Sequence, residues 1–79
     1  MQVATEIVHE LHVECVRALR WYIAEANKTC KLLAEIKNFP VSLEVRNQIL
    51  RQRRAENAAH DSYQEARISL FVAAQWGEF

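Results

Sequence analysis

The sequence predicts an all-α protein, an antiparallel hairpin of two long helices that dimerises into a four-helix bundle. Residues 3–37 and 43–76 hold no Gly or Pro and are rich in good helix formers, which favours a helix over each range. Pro40, the only proline, lies between them and disfavours helical geometry at its own position and at the one before. Apolar residues recur at alternating spacings of three and four in both ranges, as in packed helices. We expect residues 1–79 to form this single helical-hairpin domain.

The second helix carries the clearer end signals. Ser42 is a good N-cap because its hydroxyl can accept a hydrogen bond from an amide of the first turn. Glu44 in that turn suits the positive end of the helix dipole. Gly77, the only glycine, stands where a helix C-cap favours a residue that tolerates positive φ. These signals place the helix between Leu43 and about Trp76.

A seam of small and apolar residues predicts how the two helices meet. A turn centred between Pro40 and Val41 places residue i of the first helix level with residue 81 − i of the second. This register sets a large side chain against a small one in two central layers, as close packing requires. The predicted layers include Leu11 with Leu70, Ala18 with Tyr63, Tyr22 with Ala59, and Leu32 with Ile49.

A second apolar strip on the first helix lies outside this seam. In an isolated hairpin it would face water as a patch larger than monomers usually carry. A symmetric dimer would cover the strip, so we expect a homodimeric four-helix bundle. The second helix contributes further apolar residues outside the seam at Leu50, Ile68, Phe71 and Val72. The strip consists of Val16, Leu19, Ile23, Ala26, Cys30 and Leu33, of which all but Ala26 are predicted interface residues.

The charges are distributed unevenly along the predicted hairpin although they cancel overall. Residues 28–54, around the turn, hold seven Lys or Arg against Glu35 and Glu44, a net charge of +5. Residues 1–27 carry −2 and residues 55–79 carry −3, so the open end is acidic. Two such hairpins attract each other best head to tail. Screening over about 8 Å weakens this preference and leaves a parallel arrangement open.

Composition excludes several classes of protein. Apolar residues make up 51% of the chain, too many for intrinsic disorder. The longest uninterrupted apolar run, Leu70–Ala74, is far shorter than the roughly 20 residues that cross a bilayer, so no membrane partner is expected. Zero formal charge argues against wholesale attraction to nucleic acid. Cys15 and Cys30 lie about 22 Å apart along one helix, too far for an intrachain disulfide, and suit a reducing, cytoplasmic location.

A polar interruption of the seam suggests a metal site as one alternative. Glu25 is predicted level with Glu56, and two facing carboxylates need a proton, a cation or a basic neighbour. His60 lies one turn from Glu56, and a head-to-tail dimer would gather both copies of this group near its twofold axis. Four glutamates and two histidines in a four-helix bundle resemble the di-iron carboxylate pattern of ferritin-like proteins. The resemblance implies divalent iron or zinc held by Glu25, Glu56 and His60. If the chain has no such metal site, we expect no cofactor.

Basic residues on the second helix suggest another alternative, an RNA or DNA site. Most of them recur every seven residues, and a stripe of guanidinium groups can track phosphates. Arginine beside a seam is also ordinary bundle chemistry, because its stem covers apolar surface while its head stays in water. The alternative to the metal site is that Glu25 and Glu56 turn outward and set the register of the seam, as buried polar residues do in coiled coils. Their basic neighbours would be Lys28, Arg53 and Arg54. The stripe consists of Arg46, Arg53, His60 and Arg67, and Arg54 adds to its density.

Packing, capping and solvation explain nearly every residue of the chain. Ser42, Ser62 and Ser69 have no convincing His and acid partners, and the chain has no Gly-rich phosphate loop, so no enzymatic activity is predicted. We therefore expect a small, self-associating interaction or adaptor protein. Trp21 and Trp76 are candidate anchors for a further protein partner.

Overall fold

A computed structural model describes residues 2–76 of the chain, with side chains from residue 5 to residue 75. It contains two helices, α1 (Gln2–Ala34) and α2 (Leu43–Trp76). The helices pack antiparallel along their length, and the molecule is a rod of 59 × 13 × 13 Å. The predicted all-α helical hairpin is therefore confirmed. Within the described range, neither helix has an apolar stretch that would reach across a bilayer.

The first helix ends at Ala34, so the prediction that it reaches Lys37 is wrong. The backbone tightens at this point, because the amide of Ile36 donates to the carbonyl of Leu33 at 3.3 Å, three residues back instead of four. Tight bonds of this kind commonly close the last turn of a helix. The chain then bends through the cis Phe39–Pro40 peptide toward α2.

Ser42 caps α2 as predicted. Its Oγ accepts a hydrogen bond from the amide of Val45 at 3.3 Å. Its carbonyl accepts the first bond of the helix from the amide of Arg46 at 2.9 Å. Glu44 stands in the first turn, where the helix dipole favours negative charge. The predicted cap at Gly77 lies outside the described residues.

The seam between the helices buries few side chains. Among the described residues the buried set is Ala18, Ala59, Glu25 and Thr29, of which only the two alanines are apolar. None of the large side chains in this range is fully buried. A hairpin of two helices has one internal contact surface, and most of each helix therefore remains open to water.

Aromatic contacts near the middle of the rod agree with the predicted register. The Tyr22 ring meets the His60 ring edge to face, with centroids 5.2 Å apart. It also stacks on the Tyr63 ring at 6.3 Å, and the Arg67 guanidinium lies 5.5 Å from the centre of that second ring. Tyr22 was expected level with Ala59, and its two ring partners lie just beyond Ala59 along α2.

Candidate functional site

Two opposite flanks border the seam, and the aromatic contacts show which side chains share a flank. The Tyr22 ring contacts the His60 and Tyr63 rings. The ridge of α1 that follows Tyr22 and the ridge of α2 that contains His60 therefore lie on the same side of the rod. Leu19 and Ala26 lie one helical turn before and after Tyr22 on that side. We call this side the apolar face. Its members on α1 are Val16, Leu19, Ile23, Ala26, Cys30 and Leu33, and on α2 Leu50, Gln64 and Phe71 with Arg46, Arg53, His60 and Arg67.

The predicted interface residues of α1 are open to water in the single hairpin. Ile23 is 48% exposed and Leu33 is 51% exposed. The Cys30 thiol is free and exposed. Val16 and Leu19 are half-buried. All five therefore present apolar surface that α2 does not cover.

The apolar face opens into a groove near the open end of the rod. The groove has a volume of about 560 Å³ and is lined by residues of both helices. Phe71, one of its walls, is 63% exposed. Leu50 shares the ridge of Phe71, because residues 50 and 71 are separated by three repeats of seven. The groove lining includes Cys15 of α1 and Tyr63, Arg67, Ile68, Leu70 and Phe71 of α2.

The polar interruption of the seam is satisfied within the chain. The Gln52 amide donates to the Glu25 carboxylate at 2.8 Å and to the Glu25 backbone carbonyl at 3.0 Å. Lys28 Nζ donates to the same carboxylate at 3.1 Å, and the Thr29 hydroxyl donates to the Glu25 carbonyl at 3.2 Å. These bonds hold the pKa of Glu25 below its ordinary value; the Gln52 bond is the largest cause, followed by Lys28, while burial acts in the opposite direction.

The bond from Gln52 to Glu25 was not foreseen from the sequence. The residues are 27 positions apart, so no local spacing signals the contact. Gln52 lies one turn nearer the loop than Glu56, the residue expected level with Glu25. A glutamine side chain is long enough to reach along the seam to the neighbouring layer, and its amide can serve two acceptors at once.

The candidate metal ligands have separate surroundings in the single chain. Glu25 is engaged as described above, while Glu56 forms no hydrogen bond or ion pair with the described residues. His60 Nε2 lies 3.3 Å from the Gln64 amide nitrogen, and its Nδ1 lies 3.7 Å from the Asp61 carboxylate. In the part of the chain described, no group of three or more His, Cys, Asp or Glu side chains is arranged to hold a metal ion. The sequence hypothesis concerns a site shared by two chains and stays a prediction.

The candidate nucleic-acid residues divide between two sides of α2. Arg46, Arg53 and Arg67 follow the sevenfold ridge of the apolar face, whereas Arg54 is turned about 100° away from it. Arg67 contacts the Tyr63 ring, a cation–π arrangement. The other three arginines are exposed and form no ion pair with the residues that the structure describes.

Comparison of the chain with protein-family models, with curated proteins and with solved structures finds no match. The function must therefore be argued from the chain's own residues. Two of its features point to a role: the uncovered apolar face and the unequal distribution of charge along the rod.

Proposed function

We propose that the protein is a self-associating helical hairpin, a non-enzymatic interaction module whose apolar face is covered by a second copy. The observation that carries the proposal is the exposure of this face in a hairpin whose seam buries only Ala18 and Ala59 among the apolar residues that the structure describes. Domains of this size are marginal unless association or another constraint adds to a small core. Covering the face supplies the missing apolar burial.

The shape of the apolar strip suits another helix. From Val16 to Leu33 the strip extends about 26 Å along α1, at the spacing that a packed helix fills. A second copy offers a strip of the same length and spacing. Two identical faces can meet around a twofold axis, which closes the assembly at two chains. The result is a four-helix bundle with the polar sides of both hairpins in water.

Sedimentation velocity over a series of concentrations tests this proposal. We expect the mass of a dimer, and we expect Leu19→Asp to give a monomer that retains helical circular dichroism, because it places a carboxylate inside the apolar face. Ile7→Asp is the matched control: Ile7 lies two repeats of seven before Trp21, which precedes Tyr22 on the flank opposite Ile23 and the apolar face. The proposal is overturned if the wild-type chain stays monomeric up to several hundred micromolar, or if both variants dissociate the dimer equally.

The exposed arginines favour a second candidate function, binding of a nucleic-acid phosphate backbone. Arg46, Arg53 and Arg54 have no carboxylate partner among the described residues, and an unpaired guanidinium group is available to phosphate. Binding of a random-sequence oligonucleotide at two salt concentrations tests it, since phosphate contacts weaken as salt rises. Affinity that is absent at low salt, or unchanged in an Arg53→Ala/Arg54→Ala variant, would rule this function out.

A further inference from the structure

We propose that the second copy lies head to tail, with Cys30, Leu33 and Leu50 of one chain filling the groove beside Cys15 and Phe71 of the other. This inference rests on the proposed self-association and adds to it the orientation of the partner and the occupant of the groove. Because the two chains are identical, the same contact forms twice, once at each end of the bundle.

The groove and its proposed occupant lie on the same face at similar distances from the middle of the rod. The level of residue 21 marks this middle, since α1 and the following turn run from residue 2 to about residue 40. The α2 residues that line the groove have their mean position about 13 Å from this middle, toward the open end of the rod. The proposed occupant lies toward the turn, with its mean position about 15 Å from the middle. It consists of Cys30, Leu33 and Leu50, which lie at nearly the same level. A half-turn of the rod about its middle therefore carries these three side chains over the groove.

The composition of the two ridges favours head-to-tail stacking over parallel stacking. When two hairpins stack head to tail, α1 lies on α1 of the second copy, and residues 16–26 of the two apolar strips face each other. When they stack in parallel, α1 lies on α2 of the second copy, and Ile23 and Cys30 would face the ridge that carries Arg46, Arg53 and Arg67. Covering apolar side chains with guanidinium groups buries charge without a carboxylate partner, which is costly. In the head-to-tail stack α2 lies on α2 of the second copy, where Arg53 of one chain is level with Arg67 of the other, and these long side chains can reach water at the edge of the bundle.

Charge complementarity acts in the same direction. Residues 28–54 carry a net charge of +5, and among residues 2–27 and 55–76 seven acids outnumber three bases, for −4. The ion pairs between described residues join side chains within one helical turn of each other: Glu14 with Arg17, Glu25 with Lys28, and His60 with Asp61. They leave the opposition between the two ends intact. A head-to-tail dimer sets each basic end against an acidic end, whereas a parallel dimer sets +5 against +5 across about 10 Å, close to one screening length.

A distance measured between spin labels separates the two orientations. We would label Lys37→Cys, at the turn end, in a Cys15→Ser/Cys30→Ser background and measure the interchain distance by double electron–electron resonance. Lys37 lies 16 levels from the middle of the rod, so a head-to-tail dimer predicts a separation of about 48 Å and a parallel dimer one below about 20 Å. A label at Arg20→Cys, near the middle, should give a short distance in either case and controls for label placement.

Sedimentation of the same samples keeps the two proposals distinct. A monomer overturns both the self-association and the head-to-tail inference. A dimer whose Lys37→Cys labels are separated by a short distance overturns the head-to-tail orientation alone and leaves self-association standing. A dimer with the long distance supports both.

Oxidation of the native thiols tests what occupies the groove. Diamide takes up two hydrogens as two thiols join, and an intrachain Cys15–Cys30 bond is excluded because the two residues are about 22 Å apart along α1. We expect a covalent dimer whose mass-mapped linkage is Cys15 of one chain to Cys30 of the other. Cys15→Ser and Cys30→Ser should each lose the covalent dimer, and a mixture of the two should recover it. A Cys30–Cys30 linkage that forms as fast in Cys15→Ser as in the wild type would overturn the proposed seating.

Discussion

Replacing Ile23 by Ala should weaken self-association and leave the single hairpin folded. Ile23 is 48% exposed, and complete burial of an isoleucine side chain is worth about 1.5–3 kcal/mol, so covering its exposed half is worth about 1 kcal/mol per chain. A symmetric dimer covers it twice, and the remaining alanine methyl group keeps part of the gain. We therefore expect a loss of about 1.5 kcal/mol in the free energy of association, or about a tenfold rise in Kd.

Ile7→Ala is a matched control for this change. Ile7 is also 48% exposed, but it lies on the flank opposite the apolar face, so its truncation should leave the dimer Kd within a factor of about three. Sedimentation velocity gives both constants, and far-ultraviolet circular dichroism checks that each chain is still helical. Equal weakening by the two variants would show that exposure alone, and not position on the apolar face, governs association. No change for Ile23→Ala would refute the assigned interface.

Three further predictions concern the hairpin itself. The pKa of Glu25 is lowered, so its hydrogen bonds stabilise the fold at pH values above its ordinary pKa of 4.5. This stabilisation is lost as the pH falls through the lowered pKa. Glu25→Gln should therefore flatten the acid side of a plot of Tm against pH. Ala59 has no accessible surface, so Ala59→Leu should lower the free energy of unfolding by about 1–3 kcal/mol, as measured by urea titration. Ala58 is exposed, and the control Ala58→Leu should lower it by less than about 0.5 kcal/mol. Ser42→Ala removes the α2 cap, and the same titration should show a loss of about 1 kcal/mol; an unchanged midpoint would argue against the cap.

The elements of the fold were predictable because their signals are local. Pro40 marks the break between the helices, and the Ser42 hydroxyl acts on an amide only three residues away. The end of α1 at Ala34 was missed because no such local signal marks it. No Gly, Pro or capping residue stands between residues 35 and 37, and the helix stops there through a tightening of the backbone that residue type does not announce.

The candidate surface was partly predictable. The apolar strip from Val16 to Leu33 follows from helical spacing, and its exposure in the hairpin agrees with that expectation. The groove beside Cys15 was not foreseen, because its walls come from two helices and its volume depends on how far apart their side chains stand. The same holds for the Arg67 contact with Tyr63, which places one arginine of the predicted phosphate stripe against an aromatic ring.

By itself the sequence determined which stretches are helical, where the chain reverses, which strip of α1 is apolar and which end of the rod is basic. All of these follow from interactions among near neighbours and from counting charges. Only the tertiary structure decided that Gln52 bonds to Glu25, that the Tyr22 ring contacts both the His60 and Tyr63 rings, and that a groove opens at the acidic end. Contacts between helices depend on side-chain length and on the angle at which two ridges meet, and neither quantity is set by spacing along one chain.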